Sequence, residues 1–379
     1  MPSETDPPDS AAAPLSPEQV EADLAPLRQR IDQLDQQLVE LLNERAKVVV
    51  EVGKVKRQVP GAGKIYAPER ERRVLEQVRK HNHGPLPDSC LEGIWRELMS
   101  GSFALERPLR IGYLGPPGSF SHLAAKAKFG SSVEYDALAG IHAVFEEIVR
   151  GHIDYGLVPI ENTNIGGVTE TLDAFLNSPV AVCAELLINI HHNLLSNVPL
   201  AQVKRIYSKP EALGQCRAWL NQQAEKIEIV AAASTSKAAE HAANEADAAA
   251  IGSTLAAEVY GLQVQFANIE DNPNNTTRFF IIGTQKSRPT GEDKTSIMFT
   301  TEHKAGALTN VLDVFRDFGI NMTHIDKRPS KRVNWEYIFF VDLLGHVEDE
   351  NLAAALTEAG EHCLRLTVLG SYPRAAEVL

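Results

Sequence analysis

Ten aliphatic residues and one arginine mark a seam along the first part of the chain. Val20, Leu24, Leu27, Ile31, Leu34, Leu38, Leu41, Arg45, Val48, Val52 and Val55 follow one another at alternating spacings of four and three. This heptad pattern predicts one helix of about 35–40 residues, roughly 55 Å long at ~1.5 Å per residue. A lone helix of that length cannot bury its own stripe, so it must pair. Arg45 stands where the seam calls for an apolar side chain. A permanent cation in such a place needs a buried anion. No carboxylate occupies a seam position, so the anion belongs to another segment or is a ligand. The alternative is a polar residue that sets the register of a coiled coil.

The helical pattern continues to about residue 107. After a Gly/Pro break at Pro60–Gly63, a second helix is expected from Pro68, where proline suits the first turn. A third is expected from Pro87–Asp88, with Ser89 and Glu92 spaced as a capping box. Its apolar stripe runs Leu91, Ile94, Trp95, Leu98, Ser102, Leu105, and Ser102 interrupts it as Arg45 interrupts the first. The segments thus read as a disordered acidic tail over 1–19 and an all-α domain over 20–107.

From Pro108 the period changes to short strands: LRIGYLG (109–115), YGLVPI (155–160), VKRIYS (203–208), IEIVAAA (227–233), AAAIG (248–252) and RFFIIG (278–283). Helical stretches separate most of them, which predicts an α/β domain with mostly parallel sheets over 108–286. A long apolar bridge at 180–195 suggests two lobes with a cleft between them. Over 294–374 the order is strand, helix, strand, strand, helix, strand, an α+β ferredoxin-like arrangement. One helix there carries Leu308, Val311, Leu312, Phe315 and Phe318 on a face. The strand at 335–343 is apolar on both faces, which an edge or face covered by a partner chain would explain.

Composition narrows the function classes. The chain has 379 residues, a net charge of −13 and 44% hydrophobic residues. Two or three domains with real cores are expected. The acidic balance argues against nucleic acid or an anionic membrane as partner. Cys90, Cys183, Cys216 and Cys363 lie far apart without metal-ligand spacing, as expected of thiols in a reducing cytoplasm. The N-terminus lacks the basic start and apolar core of a signal peptide. No apolar run reaches membrane-spanning length. His191–His192 has no carboxylate or Cys at ligand spacing and reads as structural. No strand is followed by a dinucleotide fingerprint, and Gly61-Ala62-Gly63-Lys64 reads as a helix-breaking turn.

Two groups of residues carry candidate chemistry. Arg28, Arg45 and Lys56 lie on or beside the seam, and Arg70–Glu71 open the second helix. Together these cations would suit a small dianion, although singly Arg28 and Lys56 read as solvated flank charges. In the α/β segment, GPPGSFSH (115–122) is a turn opening a helix, with backbone N–H groups for an anion. VPIENTNIGGV (158–168) places Glu161, Asn162 and Thr163 at a strand end, and NPNNTTRFF (272–280) places Thr276, Thr277 and Arg278 at a strand entrance. Ligands in open α/β sheets sit at strand ends. Each motif alone is also ordinary turn chemistry.

These stretches carry resemblances. LRQRIDQLDQQLVELLNERAKVVVEVGKVK, PERE and IWRELMSGSFALE are similar to the all-helical chorismate mutase family. The resemblance implies a pocket inside a dimer of long helices, with Arg28 reaching in from the partner chain. Arg45, Arg70 and Lys56 would hold the two carboxylates and the ether oxygen. Glu71 would take the substrate hydroxyl, and Ser102 would also touch substrate. The implied reaction is a pericyclic rearrangement that needs a held conformer and a stabilised ether oxygen, with no nucleophile. Some members have Gln at the position of Glu106; a carboxylate cannot donate to an ether oxygen but a protonated carboxyl can, so either Glu106 keeps its proton at neutral pH or the reaction works best in acid.

GPPGSFSH, VPIENT and TTRFF, in that order, resemble the prephenate dehydratase family, whose lobes are like those of periplasmic binding proteins. By position, Thr277 would donate a proton to the leaving hydroxyl. Asn162, Thr163, Ser208 and Gln215 would line the cleft, and Arg278 would hold a carboxylate. Loss of water and carbon dioxide, driven by aromatisation, needs neither metal nor cofactor. The last segment resembles an ACT domain, with AGALTNVL (305–312) as its glycine turn. Gly306, Ala307 and Leu308, with Asp326, Arg328 and Pro329, would form the effector site; Lys327 replaces an expected serine.

The three resemblances cover Leu24 to Pro373. They imply a bifunctional enzyme taking chorismate to prephenate and on to phenylpyruvate, inhibited by L-phenylalanine, and a homodimer or higher homo-oligomer. One rival is a non-enzymatic two-lobed solute sensor, and another is a mutase fused to a dehydrogenase.

Overall fold

The structure is a computed structural model describing residues 16–58, 66–223, 227–329 and 337–379. It divides into two compact units, Met1–Gly63 and Lys64–Leu379. The expected break at Pro60–Gly63, the turn at Gly61–Lys64, Trp335 and most of the expected tail lie outside the described residues.

The first unit is the long helix α1, Pro17–Lys56, of 40 residues. It starts inside the expected tail because Ser16 and Gln19 form a reciprocal capping box. That box satisfies two donors which the first turn otherwise leaves unpaired. Leu27, Ile31, Leu34, Leu38, Leu41, Val48, Val52 and Val55 are each 43–63% exposed. The seam therefore forms on one helix, and these apolar residues are exposed.

In the second unit, α2 (Pro68–His81) and α3 (Asp88–Glu106) pack together. The capping box expected at Ser89 and Glu92 does not form. Pro87 is the N-cap and makes no side-chain cap, so Ser89 already lies inside the helix. Glu92 is instead buried and pairs with Arg79 of α2. These helices join the α/β part through Tyr66, which meets Phe103, Phe129 and Tyr155 edge-on with centroids 6.2, 5.0 and 5.2 Å away. Tyr155 also donates its hydroxyl to the Tyr66 carbonyl at 3.3 Å.

The α/β part has two sheets. The first lobe contains β1 (Arg110–Leu114), α4 (Phe120–Phe129), β2 (Glu134–Leu138), α5 (Ile141–Arg150), β3 (Tyr155–Asn162), β4 (Gly166–Gly167), α6 (Thr169–Phe175) and β5 (Ala181–Asn189). The chain then crosses to a second lobe of β6 (Asn193–Ser196), β7 (Arg205–Ser208), α7 (Pro210–Gln215), α8 (Arg217–Gln223), β8 (Glu228–Ala231), α9 (Thr235–Asn244), β9 (Ala248–Gly252), α10 (Thr254–Tyr260) and β10 (Gln263–Phe266). It returns to the first sheet as β11 (Thr276–Gly283). The orders are β2-β1-β3-β11-β5 and β10-β6-β9-β7-β8.

The sheets are mixed rather than mostly parallel. β1 pairs parallel with β2 and β3, and β7 with β8 and β9. The returning β11 runs antiparallel to both β3 and β5, and β6 runs antiparallel to β9 and β10. The cause is the double crossing: segments that leave and re-enter a lobe end as neighbours of opposite direction. Thus the apolar bridge at 180–195 is two strands, β5 and β6, with the crossing between them.

The C-terminal unit comprises β12 (Asp293–Thr300), α11 (Ala307–Asp317), β13 (Met322–Pro329), β14 (Tyr337–Leu344), α12 (Glu350–Glu361) and β15 (Arg365–Pro373), with sheet order β13-β14-β12-β15. This is the ferredoxin-like arrangement. One sheet face, with Ile297, Phe299, Val341 and Leu343, packs on α11 and α12. The other, with Met298, Ile338, Phe340, Leu369 and Tyr372, packs on Val158, Phe175, Phe280 and Ile282 of the first lobe. The second apolar face of β14 is therefore covered by the chain's own lobe, where a partner chain was expected. Val378 and Leu379 pair with Leu187, extending the β5 edge of the first sheet.

Candidate active sites

The antiparallel register of β3 and β11 sets Asn162 opposite Thr277. The Asn162 side-chain oxygen Oδ1 accepts the N–H groups of Asn164 (3.0 Å) and Ile165 (3.2 Å), an Asx turn that fixes which way its amide faces. Its Nδ2 then donates to Thr277 Oγ1 and to Asn275 Oδ1, both at 2.8 Å. Asn275 Nδ2 donates to Gln215 Oε1 at 3.2 Å, and that oxygen lies 2.7 Å from His192 Nε2. Thr163 Oγ1 donates to the Asn274 carbonyl at 3.2 Å and accepts the Thr276 N–H at 3.0 Å, which staples the two strand ends. First-lobe residues and Gln215 of the second lobe thus meet in one polar cluster where the chain crosses between lobes. Ser208 shares none of these bonds; fully buried, it donates to the Ile251 carbonyl of β9 at 2.8 Å.

The structure corrects the expectation for Arg278. Successive strand residues point to opposite faces, so Arg278 turns away from the Thr277 side. Its guanidinium donates to Glu185 (2.7 Å), Asp342 (2.5 Å) and the Tyr372 hydroxyl (3.1 Å), and lies 4.9 Å from the Phe280 ring. Ser296 bonds to both Asp342 and Tyr372. All five polar side chains of this network are buried. Burial works against the cation, but Tyr372, Asp342 and Glu185 outweigh it and hold its pKa above the usual arginine value. The carboxylates that Arg278 holds are the protein's own, and they tie β11 to β5 and β14.

The GPPGSFSH turn is also more committed than expected. Gly118, at φ +80°, donates its N–H to His122 Nδ1 at 3.1 Å, and the Ser119 N–H bonds to the Pro116 carbonyl at 3.1 Å. Burial pushes His122 down to about 4, with Lys126 adding to the effect, so the ring is neutral and able to accept. The turn's carbonyls face the second lobe: Ser253 Oγ donates to Gly118 O at 2.8 Å, and the Tyr260 hydroxyl to Pro117 O at 3.2 Å. It is an interlobe clasp, and the Gly118 and Ser119 amides are engaged within the turn.

The helical candidates fall on both units. Arg28, Arg45 and Lys56 lie on α1, and Arg28 pairs there with Glu21. Arg70 and Glu71 lie on α2, Ser102 and Glu106 on α3. Neighbouring helical residues diverge by about 100°. Arg70 is exposed, while Glu71 pairs with Lys128 of α4 at 2.8 Å, its side chain only 10% exposed. The structure therefore joins Glu71 to the first lobe rather than to Arg70. Ser102 donates to the Leu98 carbonyl at 2.7 Å.

In the C-terminal unit, Gly306 is the N-cap of α11 at φ +81°, followed by buried Ala307 and half-buried Leu308. On β13, His324, Asp326 and Arg328 pair with Asp342, Phe340 and Ile338 and share their face toward the first lobe. His324 Nδ1 lies 3.4 Å from Glu161, and Arg328 Nε lies 3.6 Å from Asp173. A Cβ on Gly167 would come within 2.3 Å of Asp326 Oδ2. Lys327 turns the other way, 5.4 Å from the Tyr337 ring, and Pro329 is exposed.

Sequence reasoning missed three participants. His192 and Asn275 belong to the polar cluster, and Glu270 receives His191 at 2.7 Å and the His192 N–H at 2.9 Å. A carboxylate nearly eighty residues away gives no local signal beside the His pair. Burial alone would raise Glu270, but the bonds from His191 and His192 win and lower it.

Two family models match the chain: chorismate mutase type II over residues 27–107 and prephenate dehydratase over 111–287. A bifunctional chorismate mutase/prephenate dehydratase of Stutzerimonas stutzeri is 44% identical over 361 residues, covering 94% of this chain and 99% of that protein. One of Aquifex aeolicus is 42% identical, covering 93% and 98%. Among solved structures, the prephenate dehydratase of Arthrobacter aurescens in complex with L-Phe is 32% identical with a TM-score of 0.65, covering 70% of this chain and 90% of that one. GqqA, described as a novel type of quorum quenching acylase, is 26% identical with a TM-score of 0.66, covering 70% and 98%. Similarity of this extent to two-activity enzymes sets aside the sensor and dehydrogenase readings: the chain belongs to the bifunctional chorismate mutase/prephenate dehydratase family and has both catalytic domains.

Proposed function

We propose that Thr277 is the proton donor of the dehydratase reaction and that the polar cluster around it is the prephenate site. The observation that carries this is a direction. Asn162 donates to Thr277 Oγ1, so the hydroxyl's own hydrogen stays available to a leaving hydroxyl group. Loss of water and carbon dioxide together is driven by aromatisation, so a weak acid held in place suffices. Acyl transfer, the activity in GqqA's description, needs a nucleophile beside a base, whereas Thr277 is met by an amide donor.

For the mutase reaction, Arg28, Arg45, Lys56 and Arg70 hold the dianion, Ser102 lies against it, and Glu106 in its protonated form donates to the ether oxygen. Glu71 is a weaker member of this set because Lys128 already engages it. The exposed seam of α1 supports pairing with a second copy, hence a homodimer or larger assembly. The C-terminal unit acts as an ACT domain that takes L-phenylalanine, supported by its topology and by the L-Phe complex of the Arthrobacter aurescens relative. Phenylpyruvate is one transamination from phenylalanine, which makes the ligand an end product. The protein works in the cytoplasm without cofactor or metal.

Incubating the purified protein with chorismate alone tests the combined reading. Phenylpyruvate should accumulate with no added cofactor, and phenylalanine should suppress it. Accumulation of prephenate with no phenylpyruvate would refute the dehydratase assignment of this cluster.

A further inference from the structure

We propose that His192 is a positioning residue for the dehydratase reaction. Its Nε2–H fixes the Gln215 carbonyl and, through Asn275, braces the Asn162 amide that donates to Thr277 Oγ1. The proposal rests on the reading of Thr277 as donor.

Each amide in the cluster has one oxygen and one NH₂, so reversing any one of them sets donor against donor or acceptor against acceptor. At the Thr277 end the sense is set by the main chain. Asn162 Oδ1 accepts two backbone N–H groups, so its NH₂ must face Thr277 and Asn275. Asn275 then presents its oxygen to Asn162 and its NH₂ to Gln215 Oε1. At the far end the same Gln215 oxygen lies 2.7 Å from His192 Nε2. A carbonyl oxygen only accepts, so that ring nitrogen carries the proton.

Were the proton on Nδ1 instead, Gln215 would turn its NH₂ toward His192 Nε2 and its oxygen away. Its contact with Asn275 would then be lost or reversed. A reversed Asn275 would face Asn162 donor to donor, and the Asx turn does not let Asn162 yield. The two ends of the chain of bonds therefore agree only with the proton on Nε2.

The surroundings of His192 fit that tautomer. The side chain is 3% exposed, and Nδ1 has no hydrogen-bond partner among the described residues. A bare lone pair there is less costly than a stranded proton-bearing cation. Burial lowers the His192 pKa against smaller opposing pulls from Gln215 and Glu270, so the ring is neutral near pH 7. Its main-chain N–H is anchored on Glu270, and the Phe120 ring meets it edge-on at 5.4 Å. A neutral ring with its main chain anchored on Glu270 and its Nε2 bonded to Gln215 keeps one orientation.

The test uses the full-length protein with His192→Gln, His192→Asn and His192→Leu. A glutamine amide nitrogen reaches the place of Nε2, whereas an asparagine nitrogen reaches only the place of Nδ1. With added prephenate, His192→Asn and His192→Leu should lose about tenfold or more in kcat, with KM nearly unchanged. His192→Gln should recover most of that loss. Mutase turnover of chorismate should stay at the wild-type level in all three. Because Asn and Gln are equally polar, their comparison stands even if the leucine variant fails to fold. Equal rates for Asn and Gln, a loss confined to KM, or normal turnover by His192→Leu would each overturn the proposal. Thr277→Val assayed beside them separates the two ideas. If it is inactive while the His192 variants are normal, only the positioning role fails; if it is fully active, the donor reading fails first.

Discussion

Thr277→Val separates a chemical role from a structural one because the structure makes the two costs unequal. Valine keeps the β-branched shape that β11 accommodates at this 8% exposed position. What disappears is one hydrogen bond, Asn162 Nδ2 to Oγ1 at 2.8 Å. Asn162 keeps its second bond to Asn275 and both backbone bonds to its oxygen, so its amide stays in place. Losing one such bond costs about 1 kcal/mol of stability, or up to ~3 if the amide hydrogen is left wholly unpaired. Losing a positioned acid costs about 10²–10⁴-fold in rate, equivalent to about 3–5.5 kcal/mol of barrier. Phenylpyruvate formation from added prephenate measures the second cost, and thermal unfolding measures the first. Chorismate turnover in the same preparation is the internal control and should not move. Thr277→Ser retains the hydroxyl and should retain most of the activity. If Thr277→Val turns over prephenate within about threefold of wild type, the hydroxyl is not the proton donor.

Arg45→Ala should remove a charge-assisted hold on chorismate of about 3 kcal/mol or more, roughly a hundredfold in mutase rate, while prephenate turnover survives; normal mutase kinetics would make Arg45 a register residue. Arg278→Leu should leave Glu185 and Asp342 buried without their shared cation, costing about 3–5 kcal/mol. Its effect should be read by chemical denaturation, and the prephenate KM of the folded protein should be unchanged; a raised KM with full stability would restore the substrate-carboxylate role. Gly306→Val forces a β-branched residue to φ +81°, where only glycine is unstrained. It should keep dehydratase activity and lose its response to phenylalanine in an inhibition titration, and unaltered inhibition would place the effector elsewhere.

Local periodicity made α1 legible. Helical spacing alone defines which residues share a stripe, and Arg45 is anomalous by that rule without any coordinates. The strand bearing TTRFF was legible for the same reason, as was the βαββαβ order of the last unit. Boundaries set by competing contacts were not. Ser89 and Glu92 have the spacing of a capping box, yet Arg79, thirteen residues earlier, captures Glu92 and the helix begins at Asp88.

Strand alternation already required that Thr277 and Arg278 point to opposite faces. It could not say what lay on either side. The tertiary structure decided that, setting Asn162 opposite Thr277 and two carboxylates around Arg278, one of them from a strand 64 residues away. In the same way, the apolar residues on both faces of β14 announced that both faces are covered. Only packing showed that the chain covers the second face with its own first lobe. The sequence by itself determined the elements, their order and the residue types each motif brings. The tertiary structure decided which side chains meet, because hydrogen bonds and ion pairs are set by distances of a few ångströms between segments that the chain places far apart.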